Sequence, residues 1–202
     1  MLRFLTAAFL ALALVPGAGK ANTILSNLGA TEQNVTSFGQ GIATNFPKFA
    51  GWTMPGLSHV LDLVTLSLSF DDQGIMPVVT IVQGPTGDDG ALLTALANPI
   101  FTSSGFYSFT PTSKTVLEAG ETYWLSVVAT DLNSPRFGWL GGDAAPTGLA
   151  TFEGYFLNRN ESSVQNIFAV KATPIPLPAG GLLLFAGLGG LLVLRRSRRD
   201  GA

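Results

Sequence analysis

Apolar and polar residues alternate with a period of two through much of the middle of this chain, the spacing of a strand with one face buried. Residues 61–70 alternate strictly from Leu66 onward. Residues 77–82 and 122–130 are rich in β-branched and aromatic side chains, and 106–109, 151–152, 154–157 and 166–170 read the same way. Glycine- and aspartate-rich turn signals at 71–74, 83–87, 88–90, 119–120 and 141–143 separate these runs. Only 91–97, built of Ala, Leu and Thr, has the composition of a short helix. Many short strands between such turns predict an all-β fold, an antiparallel two-sheet β-sandwich of jelly-roll type. Its expected core includes Leu66, Leu68, Val79, Ile81, Trp124, Leu125 and Phe168.

The pattern changes at both ends. Residues 1–21 have the three parts of a secretory leader: Arg3, an apolar run over 4–15 broken only by Thr6, then Pro16 and Gly17 before small residues. Gly19 and Ala21 suit the pockets of a signal peptidase, so cleavage is expected between Ala21 and Asn22. At the other end, 177–194 is uncharged. As a helix it would extend about 27 Å, enough to cross a hydrocarbon core once. Arg195, Arg196, Arg198 and Arg199 follow it and would stop transfer, leaving the C-terminus cytoplasmic and the domain outside. The expected organisation is a signal peptide (1–21), a β domain (22–173) and a C-terminal segment (174–202). In this arrangement the middle domain is flanked by a signal helix and a transmembrane helix.

Composition becomes informative once it is divided this way. The overall charge of −2 conceals five Lys and Arg against twelve Asp and Glu in the middle domain, a net −7. Such a domain repels phosphate backbones, and nucleic acid is excluded as a partner. Without cysteine, the chain has no disulfide, thiol nucleophile or cysteine-ligated zinc.

The order of the tail is a specific signature. Ile175, Pro176, Leu177, Pro178 and Ala179, a Gly- and Leu-rich apolar run and terminal arginines resemble the PEP-CTERM sorting signal of Gram-negative bacteria. The similarity is greatest to its Val-Pro-Leu-Pro-Ala variant, with isoleucine for valine; the Pro-Glu-Pro form is absent. The resemblance implies recognition by an exosortase, a membrane-embedded protease, after the signal peptidase has acted. Transient anchoring would then be followed by transfer to the cell surface or medium, with exopolysaccharide and biofilm matrix as the implied surroundings. In the middle, Ser26-Asn-Leu-Gly29, the run over 64–69 and that over 117–125 resemble the choice-of-anchor R domain. That family provides no catalytic residues to carry over.

Candidate chemistry in the middle is sparse. His59 is the only histidine, and a lone histidine is usually structural. Asp88 and Asp89 are sequence neighbours on a turn, whereas glycosidase carboxylates face each other about 5–9 Å apart across a cleft. Asp71, Asp72, Asp131 and Asp143 also fall in expected loops, but no Asp-x-Asp-x-Asp-Gly calcium pattern occurs. Of Trp52, Trp124 and Trp139, Trp124 reads as core, while Trp139, beside Gly141 and Gly142, reads as the exposed ring. No catalytic residue, metal ligand or cofactor is assigned. The expectation is an exported, non-enzymatic surface or matrix protein; the alternative is a carbohydrate-binding or carbohydrate-cleaving β-sandwich on the same anchor. Facing carboxylates in a cleft, or an aromatic row on an open sheet face, would favour that alternative.

Overall fold

The computed structural model describes residues 20–39, 46–70, 77–130, 133, 136–157 and 159–176. Residues 1–19, most of the expected leader, and residues 177–202 lie outside the described residues, and with them Leu177, Pro178, Ala179 and the four arginines. The described part is all-β, and every pairing is antiparallel. Its first strands are β1 (Asn22–Ser26), β2 (Glu32–Phe38), β3 (Lys48–Thr53), β4 (His59–Phe70) and β5 (Pro77–Gln83). Next come β6 (Ala91–Ala97), β7 (Gly105–Pro111), β8 (Val116–Leu117), β9 (Thr122–Ala129) and β10 (Phe137–Gly142). The last are β11 (Thr147–Gly148), β12 (Thr151–Leu157), β13 (Asn160–Glu161), β14 (Gln165–Asn166) and β15 (Phe168–Pro174).

The strands form one curled sheet in the order β11-β1-β15-β4-β7-β6-β5-β9-β3-β12-β13, with β10, β14, β2 and β8 branching from it. The curl comes from two devices. At 12 residues, β4 is long enough to pair with β15 along its first part and with β10 at Leu68–Phe70. The β6–β7 link is short, with only Leu96↔Pro111 and Ala97↔Thr110 in register, which leaves the sheet free to bend there. Strands from both halves contribute to one hydrophobic core, including Ile24, Trp52, Leu66, Ile81, Leu125, Trp139 and Phe168. At ~1.5–3 kcal/mol per fully buried large side chain, that core stabilises the cysteine-free domain.

All seven expected core residues are buried. Two expectations fail. Residues 91–97 form β6, where Thr94 and Leu96 are buried and Leu92 points to solvent. A helix propensity of tenths of a kcal/mol per residue yields to the backbone bonds with β5, which pair Thr80 with Ala95. Trp139 is fully buried, stacked edge-on to Phe168 at 6.2 Å and donating its indole N–H to the Ile167 carbonyl at 3.0 Å. The neighbouring glycines allow close approach to the strand. A Cβ on Gly138 would stand 2.4 Å from Val35 and 2.6 Å from Ser69.

Candidate binding cleft on the outer sheet face

Side-chain alternation along β9 divides its residues between two faces. Tyr123, Leu125, Val127 and Ala129 enter the core, so Trp124 projects from the other side. The same division sends Ala50 and Trp52 of β3 inward and Phe49 and Gly51 outward. Register brings Gly51 and Val82 beside Trp124, and Phe49 beside Phe156 of β12. Gly51 is required there. A Cβ at that position would lie 2.3 Å from the Trp124 ring. Trp124 and Phe156 meet edge to face at 5.3 Å, so the outer face carries an aromatic cluster separate from the core. The sequence correctly marks Trp124 as buried, but its cover differs from that expected.

The cover is the loop over 84–90, which follows β5. Trp124 donates its indole N–H to the Gly84 carbonyl at 3.0 Å, and Gly87 lies directly against the Phe49 ring. Thr86 and Asp89 tie the loop to itself: the Asp89 N–H donates to Thr86 Oγ1, which donates to Asp89 Oδ2, each at 3.3 Å. Across from it, the β12–β13 hairpin presents Arg159, whose guanidinium lies 3.8 Å from Asp89 Oδ1. Between loop and hairpin is a cleft of roughly 170 Å³ lined by Pro85, Thr86, Asp88, Asp89, Trp124, Phe156 and Arg159, with Gly87 at its base. Its walls are mainly apolar, and its charged groups are exposed at the rim.

Arg159 has φ of 64°, the only non-glycine residue with positive φ among those described. Leu157 pairs with Asn160, so the hairpin turns in two residues, and such turns favour glycine at this position. An arginine there costs roughly 1–2 kcal/mol. The fold thus carries a long cation where local geometry favours no side chain at all.

A second polar centre lies at the start of β3. Lys48 is fully buried, and its ammonium contacts Ser162 Oγ, donates to the Val164 carbonyl at 3.2 Å and stands 5.4 Å from the Tyr155 ring centroid. Burial pulls its pKa from 10.5 to about 8. Burial also pushes the Tyr155 hydroxyl up; that hydroxyl donates to the Asn166 carbonyl at 2.7 Å.

The other candidates are scattered. His59 is buried at the start of β4, and its Nδ1–H donates to the Leu57 carbonyl at 2.9 Å, a structural contact. Asp143 accepts the Thr31 N–H at 2.9 Å, whereas Asp71, Asp72 and Asp131 fall outside the described residues. Among the described residues no group of three or more His, Cys, Asp or Glu could hold a metal ion. Ala21 and Asn22 are exposed, immediately before and at the start of β1. Ile175 donates its N–H to the Ser58 carbonyl at 2.9 Å and, with Pro176, ends the described chain. Sequence reading missed Arg159, Phe156 and Lys48. The one local signal was the two-residue turn after β12, with arginine in place of glycine.

No protein-family model matches the chain, and no curated protein matches it.

Proposed function

We propose that this chain is an exported, exosortase-sorted protein of the cell surface or extracellular matrix. In this reading its β domain, folded as a jelly-roll-like sandwich of the choice-of-anchor kind, has no catalytic role. The observation that carries the reading is where the domain begins and ends. β1 starts at Asn22, the first residue after the expected signal-peptidase bond, and β15 ends at Pro174, just before the Ile175–Pro176 step. The two strands are neighbours, with Asn22 opposite Ala172. Losing the leader therefore removes none of the described strands, and Ile175 and Pro176 follow directly on the last strand, where two closely spaced prolines would favour an extended backbone that a protease groove can grip.

The test is expression of the full chain in an exosortase-positive host, with blots of membrane and released fractions. Replacing Pro176 and Pro178 with alanine should leave the protein anchored and unprocessed, while changing Arg195, Arg196, Arg198 and Arg199 to serine should weaken retention. If the proline variant is trimmed as quickly as the parent, the sorting reading fails and the tail is an ordinary anchor.

A second reading, a carbohydrate-binding domain on the same anchor, is favoured by one feature: the aromatic cluster and charged rim on the outer sheet face.

A further inference from the structure

We propose that the cleft between the 84–90 loop and the β12–β13 hairpin binds a single sugar ring that carries no negative charge. This rests on the carbohydrate reading above and adds a location, a size and a charge selectivity. Size comes first. At roughly 170 Å³ the cleft is smaller than the ~300–1,000 Å³ typical of drug-sized ligands, which limits it to about one ring.

The lining then selects the kind of ring. Pro85 and the half-buried Phe156, backed by the buried Trp124, supply the apolar lining, while donors (Arg159, Thr86) and acceptors (Asp88, Asp89) are exposed around it. A flat aromatic hydrocarbon would fill the apolar lining but gain no hydrogen bond from the exposed polar groups around it. A phosphate or carboxylate would meet two aspartates against one arginine, on a domain of net charge −7. A pyranose presents C–H groups on its face and hydroxyls, each donor and acceptor, around its edge. It satisfies both lining and rim.

Arg159 adds an independent argument. Its backbone sits in the left-handed region, where a turn favours glycine, and its side chain pairs across the cleft with Asp89. Local strain of this kind concentrates at ligand clamps. The Asp89–Arg159 pair is exposed and open to partner exchange: at 3.8 Å a hydroxyl can insert, accepting from the guanidinium and donating to the carboxylate.

The experiment uses the full chain in detergent micelles, titrated with neutral hexose, N-acetylhexosamine and uronic-acid oligosaccharides. A neutral or N-acetylated glycan should bind, its uronic-acid counterpart roughly tenfold more weakly or worse. Arg159→Gly should weaken the glycan by roughly tenfold while the thermal midpoint holds or rises, a split that loss of folding cannot produce. Asp89→Asn should weaken it in the same direction. If a glycan binds and neither variant changes its affinity, the cleft is not the site and only the wider carbohydrate reading survives. If uronic-acid glycans bind best, the charge argument is wrong. If none of the panel binds, both the site and the carbohydrate reading fail.

Discussion

Replacing Lys48 with methionine isolates the cost of burying a cation whose contacts among the described residues are uncharged. The lysine is fully buried, and its neighbours are a serine hydroxyl, a backbone carbonyl and an aromatic ring. Burial lowers its pKa to about 8 in the folded chain, against 10.5 for the unfolded reference. The unfolded chain thus holds this proton more tightly. Stability from this group is lowest below pH 8, where both states are protonated, and rises with pH up to 10.5 as the folded state sheds the proton first. Below pH 8 the penalty is about 3 kcal/mol, and about 2 kcal/mol of it should be relieved between pH 8 and 10.

Tyr155 and Tyr123 act in the opposite sense. Burial raises both hydroxyls, so stability that they contribute below pH 10 is lost above it, as the unfolded tyrosines ionise first. The gain from Lys48 as pH rises from 8 is thus opposed by the two tyrosines from about pH 10 upward. Comparison with Lys48→Met cancels the tyrosine contribution, because both proteins keep those rings. Methionine is close to lysine in length and flexibility and fills the same space, although it leaves the Val164 carbonyl without its ammonium donor. The assay is urea unfolding followed by tryptophan fluorescence at pH 7, 8, 9 and 10. The parent should gain about 2 kcal/mol on the variant between pH 8 and 10. A difference between the two proteins that stays constant across that range would refute the buried-cation argument.

Three further substitutions probe the sheet and its outer cluster. Gly51→Ala drives a methyl into the Trp124 ring and should cost about 1–3 kcal/mol, with red-shifted tryptophan emission as the ring is displaced; unchanged emission would contradict the packing. Asn166→Leu removes the amide donor to the Trp139 carbonyl (2.7 Å) and to Thr36 (3.2 Å), and should cost about 2 kcal/mol by chemical denaturation. Arg159→Gly should raise stability by about 1 kcal/mol by releasing the left-handed strain, since the exposed ion pair that it loses is worth little; a fall in the unfolding midpoint would argue against strain.

How much of this was legible in the sequence depended on whether a strand's partners could be read from its own residues. β4 alternates from Leu66 onward and β5 and β9 are rich in β-branched and aromatic residues, and Leu66, Leu68, Val79, Ile81 and Leu125 are buried as those patterns lead one to expect. β2 has no such pattern. Glu32, Gln33 and Asn34 are exposed, and the strand is defined by its ladder with β10, from Phe137↔Phe38 to Gly142↔Glu32. Trp139 sits among glycines that resemble a turn, yet those glycines are what allow neighbouring strands to close around it. The cleft was the least legible feature. Trp124, Gly51 and Phe156 come together only through the β3–β9 and β3–β12 registers, which join positions far apart in the chain. Asp88 and Asp89 were visible as turn acids, but nothing local indicated that Arg159 would stand opposite them.

The same long-range logic explains how a domain without cysteine fixes its register. Two buried asparagines do much of the cross-linking. Asn27, just past β1, donates to the carbonyls of Ala144 (2.9 Å) and Asn166 (3.2 Å) and accepts the Phe168 N–H at 2.8 Å. The Asn166 carbonyl also accepts the Tyr155 hydroxyl from β12, and its side chain reaches Thr36 on β2 and Trp139 on β10. This network ties five segments, remote in sequence, to one point. An apolar contact tolerates a small slide between strands. A buried amide does not, because displacing it leaves donors and acceptors stranded without water, at about 1–3 kcal/mol each. A one-residue slip of β1 against β15 would break several of these bonds at once and turn Ile24 and Leu25 away from their packing. The asparagines therefore penalise the misregistered alternatives to which a curled antiparallel sheet is most prone, while burial supplies the bulk of the stability.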